Sequence, residues 1–381
     1  MKKFNYLLGA TLALASALTM SSCGDDDIDI NDFVDIDDNT ENEIPEDSVS
    51  NDSIPIEAIL VNEGSYGYNN ANLTLYSKDG TVSAPATLQG MGETANDALL
   101  ASDGKVYVAL TGSNAIAIAD FSNAVVPDYD IVRLEYQPRY LAEYGQWIYI
   151  SCYGGYLVRL NKESASVDQK IKLEGAYNLE GVAVMGDTLY VCNSYTVDEQ
   201  YNYIYLDDIL SYSLKDSKQG PSKKTLVNPN RLTVMNDKLF VLGFGNWADI
   251  PSQLGYVDIQ TGETTFIANA TRMCKSNGML LFANCRTTYS ADWTESYTDT
   301  SFGMYDPMSG QVLDNPLPKM PEALKTSTVY FMSTNPKNGE TLIGVTDYSN
   351  TSTIYHVGQD GTLVREFDSK GINTNNAIFL N

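Results

Sequence analysis

The stretch Gly186-Asp187-Thr188-Leu189-Tyr190-Val191 places a turn dipeptide directly before a run of apolar, aromatic and β-branched residues. Dipeptides such as Gly-Asp, Asp-Gly and Asn-Gly accept the positive φ angles of tight turns, and the run that follows suits a short strand. A second apolar run, Gly181-Val182-Ala183-Val184, comes before the turn. The two runs and their turn therefore predict a β-hairpin.

The same unit recurs along the chain. Further copies begin at Asp103, Gly145, Asn236, Ser276 and Asn338. Matching strand positions fall at intervals of 42, 41, 50, 41 and 62 residues, and these positions are Val106, Ile148, Leu189, Leu239, Leu280 and Leu342. A repeat near this length is typical of a β-propeller with one four-stranded blade per repeat. We count seven units and predict an all-β, seven-bladed β-propeller, with six or eight blades as alternatives.

The two ends of the repeat region complement each other. The first unit begins at Ala58-Ile59-Leu60-Val61-Asn62 and has no inner strand before it. The chain ends with Asn375-Asn376-Ala377-Ile378-Phe379-Leu380, which has the pattern of an inner strand without a hairpin partner. We predict that these two segments pair and close the ring, which removes the exposed edges of an open sheet.

The first 53 residues have a different composition. Residues 1–22 combine Lys2 and Lys3 with a short apolar core and are predicted to be a signal peptide. The end of this segment together with the next residue, Leu18-Thr19-Met20-Ser21-Ser22-Cys23, resembles the lipobox of bacterial lipoproteins, which implies lipidation of Cys23. Residues 23–53 are predicted to be a solvated tether, because 24–52 hold 13 acidic residues and no Lys or Arg. Residues 54–381 are predicted to form the propeller.

The start of the tether also bears on location. Cys23 is followed by Gly24 and three aspartates. This order resembles the signal that sends lipoproteins of some diderm gut anaerobes to the outer face of the outer membrane. The resemblance implies a lipid-anchored protein that faces the cell exterior.

Charge and residue usage exclude several functions. The net charge is −25, and −14 remains once the two leader lysines and the 13 tether acids are set aside, which opposes binding to nucleic acid. The single histidine, His356, lies in a strand-like run, and no Gly-rich phosphate loop occurs, so we expect neither an enzyme nor a metal site. Four free, largely buried thiols are expected at Cys152, Cys192, Cys274 and Cys285.

One face of the predicted ring concentrates aromatic and amide residues. In a propeller, the loops between the second and third strands share a face with the loops that join blades. Such residues there supply contact area and directional hydrogen bonds, although any one of them can also serve only to cap a blade or turn the chain. The candidate ligand-binding residues are Asn62, Tyr66, Tyr68, Asn96, Arg139, Tyr153, Tyr177, Asn178, Asn193, Tyr195, Asn230, Phe244, Trp247, Arg272, Asn284, Arg286, Trp293, Tyr348 and Asn376.

Runs such as Lys105-Val106-Tyr107-Val108-Ala109 and Asp187-Thr188-Leu189-Tyr190-Val191 resemble those of YncE-type seven-bladed propellers. Together with the lipobox, the acidic export stretch and the Asn/Tyr-rich face, the chain resembles the BtuG surface lipoproteins. That resemblance implies capture of vitamin B12 or other cobamides as transported ligands, without a cofactor, and their delivery to a BtuB-like TonB-dependent transporter. A surface glycan-binding lipoprotein and a protein-docking scaffold are the alternatives.

The lipobox resemblance makes a prediction about anchoring. Replacing Cys23 by Ala should release the protein from membranes, because acyl chains supply the anchor. Membrane fractionation measures the release. Proteinase added to intact cells should digest the wild type, and a protected wild type would contradict the surface location.

Overall fold

The computed structural model describes residues 55–123, 125–292, 296–314 and 316–380. The predicted signal peptide, tether and lipidation site at Cys23 lie outside these ranges, as does Trp293. The described residues form seven antiparallel sheets that follow one another along the chain. The structure is thus all-β with seven blades, and the predicted seven-bladed propeller is confirmed.

The first four blades account for the N-terminal half of the ring. Blade 1 contains β1 (Ile56–Asn62), β2 (Asn72–Ser77) and β3 (Val82–Ser83). Blade 2 contains β4 (Ala95–Leu100), β5 (Lys105–Leu110), β6 (Ala115–Asp120) and β7 (Tyr129–Arg133). Blade 3 contains β8 (Pro138–Tyr144), β9 (Trp147–Cys152), β10 (Tyr156–Asn161) and β11 (Ser166–Lys172). Blade 4 contains β12 (Asn178–Met185), β13 (Thr188–Val197), β14 (Tyr203–Ser213), β15 (Lys218–Gln219) and β16 (Lys223–Lys224).

The remaining blades complete the ring. Blade 5 contains β17 (Pro229–Met235), β18 (Lys238–Gly243), β19 (Gln253–Val257) and β20 (Thr264–Asn269). Blade 6 contains β21 (Arg272–Ser276), β22 (Met279–Tyr289), β23 (Ser296–Asp306) and β24 (Gln311–Asp314). Blade 7 contains β25 (Val329–Thr334), β26 (Thr341–Val345), β27 (Thr351–Val357) and β28 (Leu363–Ile372). The last strand, β29 (Thr374–Phe379), returns to blade 1.

The ring closes through the two ends of the described chain. Strand β29 is the inner strand of blade 1 and pairs antiparallel with β1, with Ala58 opposite Phe379 and Leu60 opposite Ala377. A further backbone bond runs from the Leu380 N–H to the Glu57 carbonyl over 2.9 Å. The predicted pairing of the terminal segments is therefore confirmed.

The hydrophobic core is divided into seven clusters, one between each pair of adjacent blades. Strand β5 shows how alternation builds them. Val106 and Val108 pack towards blade 1, whereas Tyr107 and Ala109 pack towards blade 3. Successive side chains of a strand point to opposite faces, so a strand covered on both faces reads as a continuous apolar run.

Helical structure is sparse in the described residues. It comprises the short α1 (Glu322–Lys325) before blade 7 and a 3-10 turn at Ala86–Leu88. No described helix is long and apolar enough to cross a membrane. The four described cysteines are all free thiols, as expected, with Cys152 and Cys192 fully buried and Cys274 and Cys285 partly buried.

Two hairpins rise above the face that carries the blade-joining loops. Strands β13 and β14 have ten and eleven residues, and β22 and β23 have eleven each, against six or seven for most second strands. The additional pairs include Val197 opposite Tyr203 and Tyr289 opposite Ser296. At roughly 3.3 Å per residue, each hairpin extends the face by about 10 Å or more. Blades 4 and 6 thus form raised walls on either side of blade 5.

Ring closure generates a prediction for the 54–381 domain. Deleting residues 375–381 removes most of β29 and exposes the edge of β1, so we expect aggregation or a loss of several kcal/mol of stability. Thermal unfolding and size-exclusion chromatography measure both effects. Removing Asn381 alone, which follows the strand, is the matched control. An unchanged thermal midpoint in the longer deletion would contradict closure by this strand.

Candidate ligand-binding face

The face formed by the blade-joining loops and by the loops between second and third strands is called the loop face here. Ten aromatic side chains are exposed among the described residues, and nine of them belong to this face. The exception is Phe266, in the outer strand β20. Exposed aromatic residues concentrated on one side of a soluble domain indicate a contact surface. The nine are Tyr66, Tyr68, Tyr177, Tyr201, Tyr203, Trp247, Tyr289, Tyr297 and Tyr348.

A cavity of about 420 Å³ lies along the centre of the ring. Every one of the seven inner strands contributes to its lining, from Asp97 in β4 to Asn375 in β29. The ring brings these strands very close together. A Cβ atom at Gly181 in β12 would lie 2.7 Å from the Arg231 Cα, so only glycine fits there. We call the end of this channel at the loop face its mouth.

Two clusters of charged residues at the mouth are closed, which means that their members bond one another. The first lies on blades 3 and 4. The Arg139 Nε donates to Glu180 over 2.9 Å, and the Tyr153 hydroxyl donates to the other oxygen of the same carboxylate over 2.9 Å. The Arg139 guanidinium also lies 4.9 Å from the centre of the Tyr153 ring. Burial and the Glu180 charge raise the pKa of Tyr153 well above its ordinary value. Each charged group of this cluster therefore has a partner within it.

The second closed cluster joins blades 1, 6 and 7. Tyr330 donates its hydroxyl proton to Glu63 over 2.8 Å, and the Asn375 amide donates to the other Glu63 oxygen over 3.0 Å. Arg272 lies over the Tyr330 ring at 5.2 Å and bonds the Tyr330 carbonyl over 2.5 Å. Burial raises the pKa of Glu63, although these hydrogen bonds oppose the rise. Tyr348 stands edge-on to Tyr330, with ring centres 5.8 Å apart.

Between the two clusters, Arg231 and Asp97 form an open pair. Among the described residues, the Arg231 guanidinium makes no hydrogen bond and no ion pair, and its one specific contact is the Tyr140 ring at 5.1 Å. Asp97 accepts a bond from the Leu141 N–H over 3.0 Å. Burial raises the pKa of Asp97 to about 6, and the Arg231 charge is the main factor that opposes this rise.

The raised hairpin of blade 4 carries a row of tyrosines. Within this hairpin the Tyr195 and Tyr203 ring centres are 5.3 Å apart, and Tyr153 of blade 3 meets Tyr195 edge-on at 5.9 Å. Tyr203 in turn is nearly parallel to Tyr205, with ring centres 6.0 Å apart. On blade 5, Phe244 and Trp247 pack edge-on at 6.3 Å, and Trp247 is about half exposed. These rings border the mouth with aromatic surface.

Four of the candidate asparagines are buried within or between blades. Asn62 bonds the side chains of Asn72, Thr74 and Thr374 inside blade 1. Asn193 accepts the Tyr177 N–H and donates to the Gly175 carbonyl, so it shapes the loop before blade 4. Asn96 donates to the Arg139 carbonyl over 2.7 Å, and Asn230 accepts from the Tyr140 hydroxyl over 3.2 Å. These four side chains therefore hold strands and loops of the face in place and are not exposed to a ligand.

The other candidates are spread over the face. Tyr66 and Tyr68 are more than three-quarters exposed, in a loop that the buried Glu93 holds through the Gly67 and Asn69 N–H groups at 3.0 Å each. Asn376 lines the channel and accepts from the Ser333 hydroxyl over 3.2 Å. Exposed Tyr177 lies directly before β12, and partly buried Asn178 is its first residue. Partly buried Asn284 and exposed Arg286 lie on β22.

The candidate set drawn from the sequence leaves out several residues at the mouth, although some of them lie in the loops assigned to this face. The omitted residues are Glu63, Asp97, Tyr140, Glu180, Arg231, Tyr330 and Asn375. Most of them occupy the second or third position of an inner strand, as Asp97, Glu180 and Arg231 do. The repeat marks the start of every inner strand. Which of two neighbouring residues points into the channel depends on how side chains alternate along that strand, and a bulge such as the one between Ala95 and Asp97 shifts the alternation.

A second cavity, of about 370 Å³, lies on the opposite face between blades 7 and 1. Here the Tyr76 hydroxyl and His356 Nδ1 are 2.8 Å apart, and His356 Nε2 lies 2.9 Å from the Glu340 carboxylate. His356 is buried in β27, whereas Tyr76 belongs to β2. This chain of bonds connects the two blades that meet where the ring closes.

The partly buried Asp97 generates a prediction about stability and pH. Its carboxyl has a pKa of about 6 in the folded protein against an ordinary 3.8, so its contribution to stability is complete below pH 4 and is lost as the pH rises through 6. Asp97→Asn should therefore raise the free energy of unfolding by up to about 3 kcal/mol at pH 7.5 and change it little at pH 4. Urea unfolding at both pH values measures this difference.

The exposed Asp79 is the control for that measurement. Hydrogen bonds from Thr81 lower the pKa of this carboxyl, so Asp79→Asn should bring no gain at pH 7.5. An Asp97→Asn effect of equal size at both pH values would contradict the assigned burial cost.

No protein-family model matches the chain, and no curated protein has a matching sequence. Solved structures do resemble it. A protein from Lactobacillus plantarum gives a TM-score of 0.55 at 13% identity, over 86% of this chain and 100% of that one. A protein from Desulfotomaculum acetoxidans gives 0.54 at 13%, over 85% and 99%. Kuenenia stuttgartiensis hydrazine synthase gives 0.55 at 14%, over 74% and 94%. At such identities these likenesses concern the fold alone.

Proposed function

We propose that this propeller captures a cobamide such as vitamin B12 at its loop face and passes it to a BtuB-like TonB-dependent transporter of the outer membrane. The protein would act from the cell surface, held there by the lipid on Cys23. One observation carries the proposal: charged and amide groups from all around the ring meet at one mouth, within a border of exposed tyrosines and Trp247.

The chemistry of the ligand matches this arrangement. A corrin is a broad apolar macrocycle that carries many amide side chains on its edge. Tyr348 and Trp247, each more than half exposed, offer flat apolar surface, while the mouth offers fixed donors and acceptors. Aromatic area combined with a few directed polar groups is the usual composition of a small-molecule site.

The closed clusters at the mouth favour binding without large rearrangement. Arg139, Glu180 and Tyr153 hold one another, as do Glu63, Tyr330 and Asn375. Groups that are already ordered lose little entropy when a ligand binds, so a preformed face supports high affinity. The role we propose is non-covalent capture and release, with no chemical turnover.

A glycan is the second candidate ligand. The row formed by Tyr195, Tyr203 and Tyr205 on the raised hairpin of blade 4 is an aromatic strip on which sugar rings could stack. This strip involves one blade, whereas the mouth gathers residues from all seven. We therefore place the cobamide first and treat glycan binding, or docking of a protein, as the outcome to be distinguished by experiment.

The proposal predicts the effect of removing exposed rings. Trp247→Ala and Tyr348→Ala should each weaken cyanocobalamin binding by about 2 kcal/mol, because exposed aromatic anchors dominate such contacts. Both residues have positive φ, which alanine tolerates no worse than the native residue, so the fold should survive. Isothermal titration calorimetry on the 54–381 domain measures the loss.

Phe266→Ala is the matched control, since this ring is equally exposed but lies on the outer strand β20, away from the loop face. It should leave the affinity unchanged. If the wild-type domain shows neither heat nor a spectral change with cyanocobalamin at micromolar protein, the cobamide is the wrong ligand. Binding to a glycan array in the same preparation would then favour the second candidate.

A further inference from the structure

Among the residues that the structure describes, the open pair formed by Arg231 and Asp97 is the charged feature of the mouth that is not internally satisfied. Both residues line the central cavity, from strands β17 and β4. Among the described residues no N–O contact of 4.0 Å or less joins them, and Arg231 donates no hydrogen bond. A guanidinium that is partly withdrawn from water and left without acceptors is costly.

The carboxylates around Arg231 are already engaged, whereas the buried Asn375 Oδ1 at the same cavity has no hydrogen-bond partner among the described residues. Glu180 receives bonds from Arg139 and Tyr153, and Glu63 receives bonds from Tyr330 and Asn375. Their geometry leaves Arg231 facing the channel with its donors free. An acceptor supplied from outside the chain therefore completes the site.

The opposite wall decides which kind of acceptor fits. Asp97 uses one oxygen to accept the Leu141 N–H, and its carboxylate lines the same cavity as Arg231. A carboxylate or phosphate that bonded Arg231 would be repelled by Asp97, and an ammonium group would be repelled by Arg231. A neutral group with an acceptor and a donor side by side satisfies both residues.

We propose that the gap between Arg231 and Asp97 binds a primary carboxamide, with its carbonyl accepting from Arg231 and its NH₂ donating to Asp97. This inference rests on the proposed function, because the corrin edge carries such side chains. A cavity of about 420 Å³ is too small for a whole corrin, so the macrocycle would lie across the mouth and present an edge side chain to the channel.

The first test changes the protein. Arg231→Gln should weaken cyanocobalamin binding between about tenfold and a hundredfold in calorimetry at pH 7.5, because a charged hydrogen bond is lost. Lys275→Gln is the matched control: Lys275 lines the same cavity three residues further along β21 than Arg272, away from the mouth, and should leave affinity unchanged. Should Arg231→Gln fail to fold, Arg231→Lys keeps the charge but not the planar donor pair and should also bind more weakly.

The second test changes the ligand and needs no variant to fold. The monocarboxylate derivatives of cyanocobalamin each replace one edge amide by a carboxylate. On the wild-type domain, one isomer should bind at least about tenfold more weakly than the others, since its carboxylate meets Asp97. Asp97→Asn should narrow the difference between that isomer and cyanocobalamin, because the side-chain amide no longer repels the carboxylate.

The outcomes separate this inference from the proposed function. Suppose that the wild-type domain binds cyanocobalamin, that Arg231→Gln binds it with the same affinity, and that every monocarboxylate binds the wild type as well as cyanocobalamin does. The channel then takes no amide, and only the inference is wrong. If cyanocobalamin does not bind the wild-type domain at all, the proposed function falls and the inference falls with it.

Discussion

The pairing of β29 with β1 is the contact on which the rest of the molecule depends. Without β29, blade 1 has no inner strand, and the core cluster shared by blades 7 and 1 loses Ala377. The same strand brings Asn375 to the mouth, where its amide bonds Glu63 and the Ala95 carbonyl. A single pairing therefore closes the sheet edges, completes the last core and supplies part of the candidate site.

Closure also explains the composition of the strands. Each blade is covered by a neighbour on both faces, so seven separate cores replace one central core. Side chains such as Val108 and Tyr107 are buried on opposite sides of the same strand. The centre of the ring is then left to the inner strands, whose tight approach at Gly181 leaves room for only a narrow channel.

At the mouth of that channel, charged side chains from different blades lie close together, and only some of them have partners. Arg139 with Glu180, and Glu63 with Tyr330, form bonds that balance the cost of burial within the protein itself. Arg231 and Asp97 face the same cavity without touching. The contrast between two clusters whose charged groups are hydrogen-bonded and one pair whose charges do not touch is the main chemical feature of the loop face.

The sequence by itself determined the architecture, because turn dipeptides and apolar alternation are local signals that recur with the blades. The intervals from Val106 to Leu342 indicated the repeat, and the unmatched segments at Ala58 and Asn375 indicated how the ring closes. It also located the aromatic side of the ring, since strand order alone assigns each loop to a face. Residues such as Trp247 and Tyr348 could be named in this way.

Only the tertiary structure decided which polar residues meet at the mouth. Asn62, Asn193 and Asn284 occupy similar places in their repeats. Asn62 and Asn193, however, are buried and form hydrogen bonds within the protein. Arg231 and Asp97 lie 134 positions apart and share a cavity because the ring sets their strands around one axis. Strand parity, bulges and the closeness of the inner strands are properties of the assembled ring, and no local pattern encodes them.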